Sequence, residues 1–303
     1  MAIDQSITSR KINAKSASAY RAAFTAMADV VRTDRRAKIG LGIVAFAVFM
    51  AIFGQYITPY PTDVPETAIR LQGPSWAHPF GTDVIGRDQL SRIMAGVRIS
   101  MVVAAGAVIM ALVAGLLLGA VSGFAGGVVD SVIMRIMDAI IAFPGRLLAI
   151  ALVVVWGASI QALWFAIAFS AVPQYARLIR GSVLSQKERE YVEAARSVGE
   201  SPGSMLFRYV LPNSMTPVLV RVPLNFGQAI IAEAGLSFLG LGLVPQTISW
   251  GQMLSASQDF IETSPHLMIF PGLALSIVIL GFVLLGDALR ERLDPRSLSR
   301  RRR

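Results

Sequence analysis

An all-α membrane protein with six transmembrane helices is the fold class this sequence predicts, and three observations predict it. Of 303 residues, 54% are hydrophobic and only 16% are charged, far more apolar than a soluble domain of that length needs. Apolar runs of about 20 residues, the length that crosses a hydrocarbon core, recur along the chain. Lys and Arg gather in bands between those runs instead of forming the single basic stripe of a nucleic-acid binder. The net charge of +9 therefore reads as membrane orientation, and no nucleic-acid partner is expected. Cysteine is absent and the two histidines, His78 and His266, lie far apart, which excludes disulfides and thiolate metal sites and argues against a zinc enzyme.

The elements follow in order. Residues 1–37 form a basic tail, placed in the cytoplasm by the positive-inside tendency. Within it Tyr20, Phe24, Met27 and Val31 recur at helical spacing, as in a helix lying flat on the membrane or in an ordinary solvated tail helix. Residues 39–57 make the first span, within a segment set at 38–58. No short apolar region with a small-residue cleavage site precedes it, so it is expected to stay as an anchor. Residues 59–98 are external, opening on Pro59 and Pro61. There Gly81 and Gly86 suit tight turns, and Leu90, Ile93, Met94 and Val97 form the apolar stripe of an interfacial elbow helix leading into the second span.

A core of five helices occupies 99–289. The second span, 99–121, carries Gly106, Gly115 and Gly119, small residues that let helices approach closely. After the GFAGG turn the third span, 128–156, is kinked by Pro144, with Arg135 and Asp138 three apart as a local ion pair. The fourth is 160–179, with Arg177 and Arg180 at its inner end; the fifth is 217–236 and the sixth 266–289. Both termini then lie in the cytoplasm, followed at 290–303 by a basic tail. The proposed inner segments hold most of the 28 Lys and Arg, while the external ones hold Arg70, Arg87, Arg92 and Arg98.

Between the fourth and fifth spans a polar loop, 181–216, faces the cytoplasm. Residues 188–198 favour a helix, and Gly199 stands where a left-handed cap is needed. Ser201 suits an N-cap with Pro202 at the first helical position, starting a second short helix that Pro212 ends. Ala194 and Ala195 leave one face of the first helix bare, with Arg189, Glu193 and Arg196 at its edges. Such a knob either docks on another protein or closes on itself to shield the bundle.

These residues carry a resemblance. Glu193-Ala194-Ala195, Gly199 and Leu211-Pro212 match the EAA signature of permease subunits of ATP-binding cassette importers. Tyr209 stands where that signature usually has an aliphatic residue. HPFGTDVIGRDQLSR from His78, EYVEAARSVG from Glu190, AEAGLSFLGLG from Ala232, SWGQML from Ser249 and GDALRERLDPR from Gly286 narrow it. The chain resembles the C-type permease of the dipeptide, oligopeptide and nickel importer family. That resemblance implies a type I importer permease fold in a prokaryotic cytoplasmic membrane. It implies a coupling helix built on Glu193, Ala194, Ala195, Arg196, Gly199, Leu211 and Pro212, seated in a groove on an ATPase. The partners it implies are a paralogous permease in a heterodimer, two ATPase subunits and an extracytoplasmic binding protein. The solute would be a peptide or similar small molecule, with a nickel chelate as the alternative. The lysines are Lys11, Lys15, Lys38 and Lys187, and none follows the glycine-rich run of a P-loop. ATP and Mg are therefore expected on the partners, and this chain is expected to bind no cofactor or metal and to be no enzyme.

Polar side chains inside a span are pathway candidates because burying them in lipid is costly. The fifth span carries Arg221, Asn225, Gln228 and Glu233. Arg221 and Glu233 lie ~18 Å apart along a helix and cannot pair. Arg221, Asn225 and Gln228 make a polar strip, and Glu233 either faces the pathway or makes a structural hydrogen bond. Trp250 and Gly251, in the last external loop, are either an interfacial anchor or a contact for the binding protein. Two rivals remain. An ion-coupled secondary transporter has no use for the EAA loop. An intramembrane enzyme lacks paired carboxylates, a metal cluster or a Ser beside a His within a span.

Overall fold

The computed structural model describes residues 30, 32–243 and 247–293. The expected interfacial helix through Tyr20, Phe24 and Met27, and the basic tail from 294 on, lie outside the described residues. Apart from one isolated bridge between Thr82 and Asp88, the described chain is helix, turn and irregular segment.

Helix α1, Arg35–Phe53, is capped by Asp34, whose carboxylate accepts from the Arg36 backbone N–H at 2.8 Å. Helix α2, Gln89–Ala125, runs for 37 residues, and Asp88 caps it by accepting from Ser91 N at 2.8 Å. The elbow helix is continuous with the span it leads into, and its interfacial placement is corrected. Its stripe, Leu90, Ile93, Met94 and Val97, is the first part of α2, because no Pro or Gly pair interrupts the hydrogen-bond ladder there. Ile93 and Val97 are buried in the bundle and do not lie on lipid.

Helices α3, Gly127–Ala142, and α4, Gly145–Trp156, meet at 89°. The expected kinked third span is thus a break: Phe143 and Pro144 leave helical geometry, with ψ of 137° and 116°. Helix α5, Ile160–Lys187, starts from a Ser159 cap. Among the described residues, four helices are long and apolar enough to cross a membrane, and two bent pairs bring the number to up to six when each pair counts as one span. The other bent pair joins α7, Pro202–Asn213, to α8, Thr216–Phe238. Helix α6, Glu190–Ser197, precedes α7 in the polar loop, α9 is Trp250–Ala256, and α10, His266–Leu293, closes the bundle.

The tightest seam runs between α2 and α5. A methyl group at Gly115 would overlap the Tyr175 Cβ, and one at Gly119 would overlap the Ala176 carbonyl. Glycine here is a packing residue, since any side chain would force the backbones apart and forfeit the dispersion contacts that hold helices together in lipid. Helix α1 crosses α10 in the same way, with Gly40 against the Gly281 carbonyl. An ion pair between Arg36 and Glu291 joins the start of α1 to the end of α10 at one end of the bundle.

Charges near the other end of α5 tie helices together. Arg180 donates from Nε and a terminal nitrogen to the two carboxylate oxygens of Asp130, each at 2.6 Å, while Ser122 donates to the same carboxylate. Arg177 donates to Asp138 at 2.6 Å. The local pairing of Asp138 with Arg135 is corrected, because the packing of α3 on α5 brings the Arg177 guanidinium within direct reach of the carboxylate. A double-mutant cycle on Asp130→Asn and Arg180→Gln, read from unfolding in detergent, is expected to show a coupling of about 1 kcal/mol, held low by the partial exposure of Arg180. Additive effects of the two substitutions would refute that coupling.

The segment between α1 and α2 is held by hydrogen bonds more than by apolar burial. Asp83 accepts from the backbone N–H groups of Ile85 and Arg87 and from Arg87 Nε at 2.7 Å. Asp88 lies 2.9 Å from His78 Nδ1. Leu71 and Gly81 adopt positive φ in the turns that bring these groups together.

Candidate functional site

The polar loop begins with α6, whose inner face is apolar. Val192 and Ala195 are buried, and with Met205, Leu206, Tyr209 and Val210 of α7 they join the same cluster as Tyr175, Ile179 and Val183 of α5. Glu193, Ala194 and Arg196 stand on the opposite, exposed face. The bare face expected from Ala194 and Ala195 together is corrected accordingly: successive helical residues project ~100° apart, and only Ala194 is exposed. Ala194 is open, whereas Ala195 is the small residue that lets α6 lie close on α5 and α7.

Gly199 ends α6 with φ of 80°. The backbone N–H of Glu200 donates to the Ala195 carbonyl at 3.1 Å and that of Gly199 to Arg196 at 3.1 Å, the two bonds of a Schellman turn. The chain then reverses into Ser201, whose hydroxyl accepts from Ser204 N, with Pro202 opening α7. Residues Met205–Val210 wind as a π-helix, a wider turn that absorbs one extra residue before Leu211 and Pro212, both half-buried. Tyr209, the departure from the aliphatic pattern, keeps its ring in the core and donates its hydroxyl to Glu200 at 3.2 Å, which ties α7 back to the bend. Burial of its ring in the core raises the Tyr191 hydroxyl above its ordinary pKa. Two apolar residues of the loop, Val198 at 59% and Phe207 at 55%, are also exposed. Sequence reasoning missed them; an apolar side chain inside an otherwise polar loop was the available signal.

A second feature is a cavity of about 780 Å³ among α2, α4, α5 and α8. Asn225 and Gln228 line it, with Arg146, Gln174 and Tyr175 from the neighbouring helices. Arg221 does not line it but donates to Gln174 at 2.7 Å. The structure therefore gathers Asn225 and Gln228 and links Arg221 to them indirectly. Glu233 is elsewhere: it is fully buried, accepts from Ser237 at 2.9 Å, and faces Ser100 and Ser249, joining α8 to α2 and to the start of α9. Gln174 and Tyr175 were legible as polar groups in an apolar run, but their facing depended on packing.

Trp250 and Gly251, expected at the external surface, are buried. The indole N–H of Trp250 donates to the Ile93 carbonyl at 3.0 Å, and Gly251 packs on Ala234 and Ser237. A buried partner for the indole is worth more to the bundle than an interfacial position, so this pair locks α9 onto α2 and α8. Among the described residues no group of three or more His, Asp or Glu could hold a metal ion.

A family model described as binding-protein-dependent transport system inner membrane component matches residues 115–299. A second, the N-terminal TM domain of oligopeptide transport permease C, matches residues 29–74. The dipeptide transport system permease protein DppC of Alkalihalophilus pseudofirmus is 42% identical over 269 residues, covering 89% of this chain and 88% of that protein. The glutathione transport system permease protein GsiD of Pectobacterium atrosepticum is 41% identical over 257 residues, covering 84% and 85%. Among solved structures, a chain of the inward-facing MetNI methionine ABC transporter aligns with a TM-score of 0.55 at 16% identity, covering 66% of this chain and 96% of that one. A chain of an amino acid ABC transporter crystallised with histidines gives 0.51 at 16%, covering 67% and 94%. At that identity the structural likeness speaks for the fold alone.

Proposed function

The chain belongs to the family of binding-protein-dependent transport system inner membrane components, and from that membership we propose that it moves peptides or similar small solutes across the membrane while partner chains hydrolyse ATP. The relatives named for dipeptide and glutathione transport bring the di- and tripeptide class to this chain. The observation that carries the coupling role is the two-sided loop. Its inner face is part of the α5 core, so the loop cannot move without moving α5, and its outer face of Glu193, Ala194, Val198 and Phe207 meets nothing in the bundle.

A push on that outer face is delivered to the membrane through packed side chains, as a two-state rigid-body change requires. Apolar Val198 and Phe207 supply the dry centre of such a contact, and Glu193 and Arg196 its charged rim. In this reading Ala195, Gly199, Leu211 and Pro212 hold the shape of the loop instead of touching the ATPase. The ATPases carry ATP and Mg; a paralogous permease completes the pathway, and a binding protein delivers the solute from outside. Both termini and the loop lie in the cytoplasm.

The test is made on the assembled transporter. Glu193→Lys is expected to lower solute-stimulated ATP hydrolysis about tenfold, because a reversed rim charge opposes docking, while Glu193→Gln costs less. Membrane insertion and yield stay as in the parent, since Glu193 is exposed. Unchanged stimulation in the lysine variant, at equal yield, would remove the loop from the coupling path.

A further inference from the structure

We infer that the outer face of α1 seats an anionic phospholipid, its headgroup held by Arg35 and Lys38 and one acyl chain lying over Gly42 and Ala45. The inference concerns the membrane and not the solute, so it stands apart from the peptide-import reading above. Helix α1 is the least covered of the four full-length candidate spans among the described residues: 22% of its most apolar stretch is buried, against 56% for α5. Its buried residues, Ala37, Gly40 and Ala47, share one side, where Gly40 meets the Gly281 carbonyl of α10. At ~100° per residue, Arg35, Lys38, Gly42, Phe46 and Phe49 project from the opposite side, and each of them is exposed.

Height along the axis says what that face meets. The span Arg35–Tyr56 has 22 residues, ~33 Å of helix, close to a hydrocarbon core of ~30 Å. Arg35 and Lys38 therefore stand at one edge of the core, at the level of lipid phosphates, with Phe46 and Phe49 at acyl-chain depth, 63% and 48% exposed. Neither cation makes an ion pair with a described residue. The carboxylates of Asp34 and Glu291 are engaged by Arg36 instead. Asp34 also accepts from the Arg36 backbone N–H, so the helix end already has its anion, and a headgroup meets the two side chains. A guanidinium offers a fork of donors to phosphate oxygens, and the ammonium less than one turn away adds a second positive point. A zwitterionic headgroup carries its own cation, which both residues repel, so the pair selects a lipid of net negative charge. Below the cations an added Cβ at Gly42 meets nothing within 4 Å and Ala45 is exposed, which leaves a shallow trough bounded by the rings of Phe46 and Phe49. An acyl chain fills that trough; a free phosphate ion leaves it empty.

The experiment uses the complete transporter, delipidated in detergent and titrated with dioleoylphosphatidylglycerol or dioleoylphosphatidylcholine, with bound lipid counted by native mass spectrometry and glycerol phosphate added as competitor. The parent is expected to hold phosphatidylglycerol about tenfold more tightly than phosphatidylcholine, and glycerol phosphate is expected not to displace it. Arg35→Gln/Lys38→Gln is expected to abolish that preference. Gly42→Leu keeps both charges but fills the trough, and is expected to weaken phosphatidylglycerol about fivefold. Removal of the same charge elsewhere, in Arg70→Gln/Arg135→Gln, is expected to leave the preference as in the parent. A parent without preference, or a preference that survives in Arg35→Gln/Lys38→Gln, overturns the inference. So does a preference lost there but untouched by Gly42→Leu, which would mean diffuse surface attraction without a seat. Displacement by glycerol phosphate overturns it in favour of a free anion, and loss of a partner chain from the double variant in favour of a protein contact. Arg35, Lys38 and Gly42 are exposed, so yield is expected to match the parent; if the double variant is not recovered, Arg35→Gln alone carries the measurement.

Discussion

Gly199→Val is expected to abolish solute-stimulated ATP hydrolysis, a loss of about 100-fold, while leaving the membrane-spanning helices intact. At φ of 80° a β-branched side chain clashes with its own carbonyl, costing ~1–2 kcal/mol or more locally. The strain is relieved by opening the Schellman turn, since the bonds from Gly199 to Arg196 and from Glu200 to Ala195 depend on that conformation. Space is not the issue, because nothing lies within 4 Å of a Cβ added there. Once the turn opens, α6 loses its set angle to α7, and the outer face is no longer presented as one surface. Gly199→Asn tests the cause. Asparagine tolerates the left-handed region, so this variant should retain most of the stimulation. Equal loss in both variants would show that the residue acts by contact and not by conformation.

Gly115→Leu should prevent accumulation of folded protein. A branched side chain has no room against the Tyr175 Cβ and the Val172 carbonyl, so α2 and α5 would separate along the seam that builds much of the bundle core. Overpacking of a close helix crossing costs ~1–3 kcal/mol where neighbours can yield, and backbone atoms cannot yield. Little monodisperse protein in detergent is the expected result, with Gly115→Ala giving an intermediate yield. The comparison is Gly42→Leu, where an added Cβ meets nothing within 4 Å and yield is expected to hold. Normal yield of Gly115→Leu would contradict the tight seam.

What could be read before the fold was seen is what local chemistry dictates. The spans were legible because a lipid-crossing helix must be apolar for its whole length. Gly199 was legible because few residues end a helix in the left-handed region, and Ser201-Pro202 because a cap and a first-turn proline sit at fixed offsets. What stayed hidden was decided by distant parts of the chain. Ala195 turns inward because α5 and α7 cover it, which no α6 residue reports. Asp138 chose Arg177, 39 positions away, over Arg135, three away. Trp250 left the membrane interface for the Ile93 carbonyl, 157 positions away in sequence. Pro144 announced an interruption, but the 89° between α3 and α4 follows from what each half packs on. The cavity was half visible: Asn225 and Gln228 stood out as polar residues in an apolar run, while Arg146 gave no sign of sharing their space.

The unbroken length of α2 has a mechanical consequence. Its 37 residues extend ~55 Å, well beyond a hydrocarbon core of ~30 Å. One end is clamped by the carboxylate of Asp88 and the knot around Asp83; the other reaches Ser122, which meets the Asp130–Arg180 fork. A continuous rod of this kind transmits torque. Under the proposed function, a twist imposed at the Asp88 end of α2 would be carried along the continuous helix toward the polar loop, and the reverse holds equally. The two aqueous compartments would thus be in register through a single stiff axle, with no need for a relay of side chains between them.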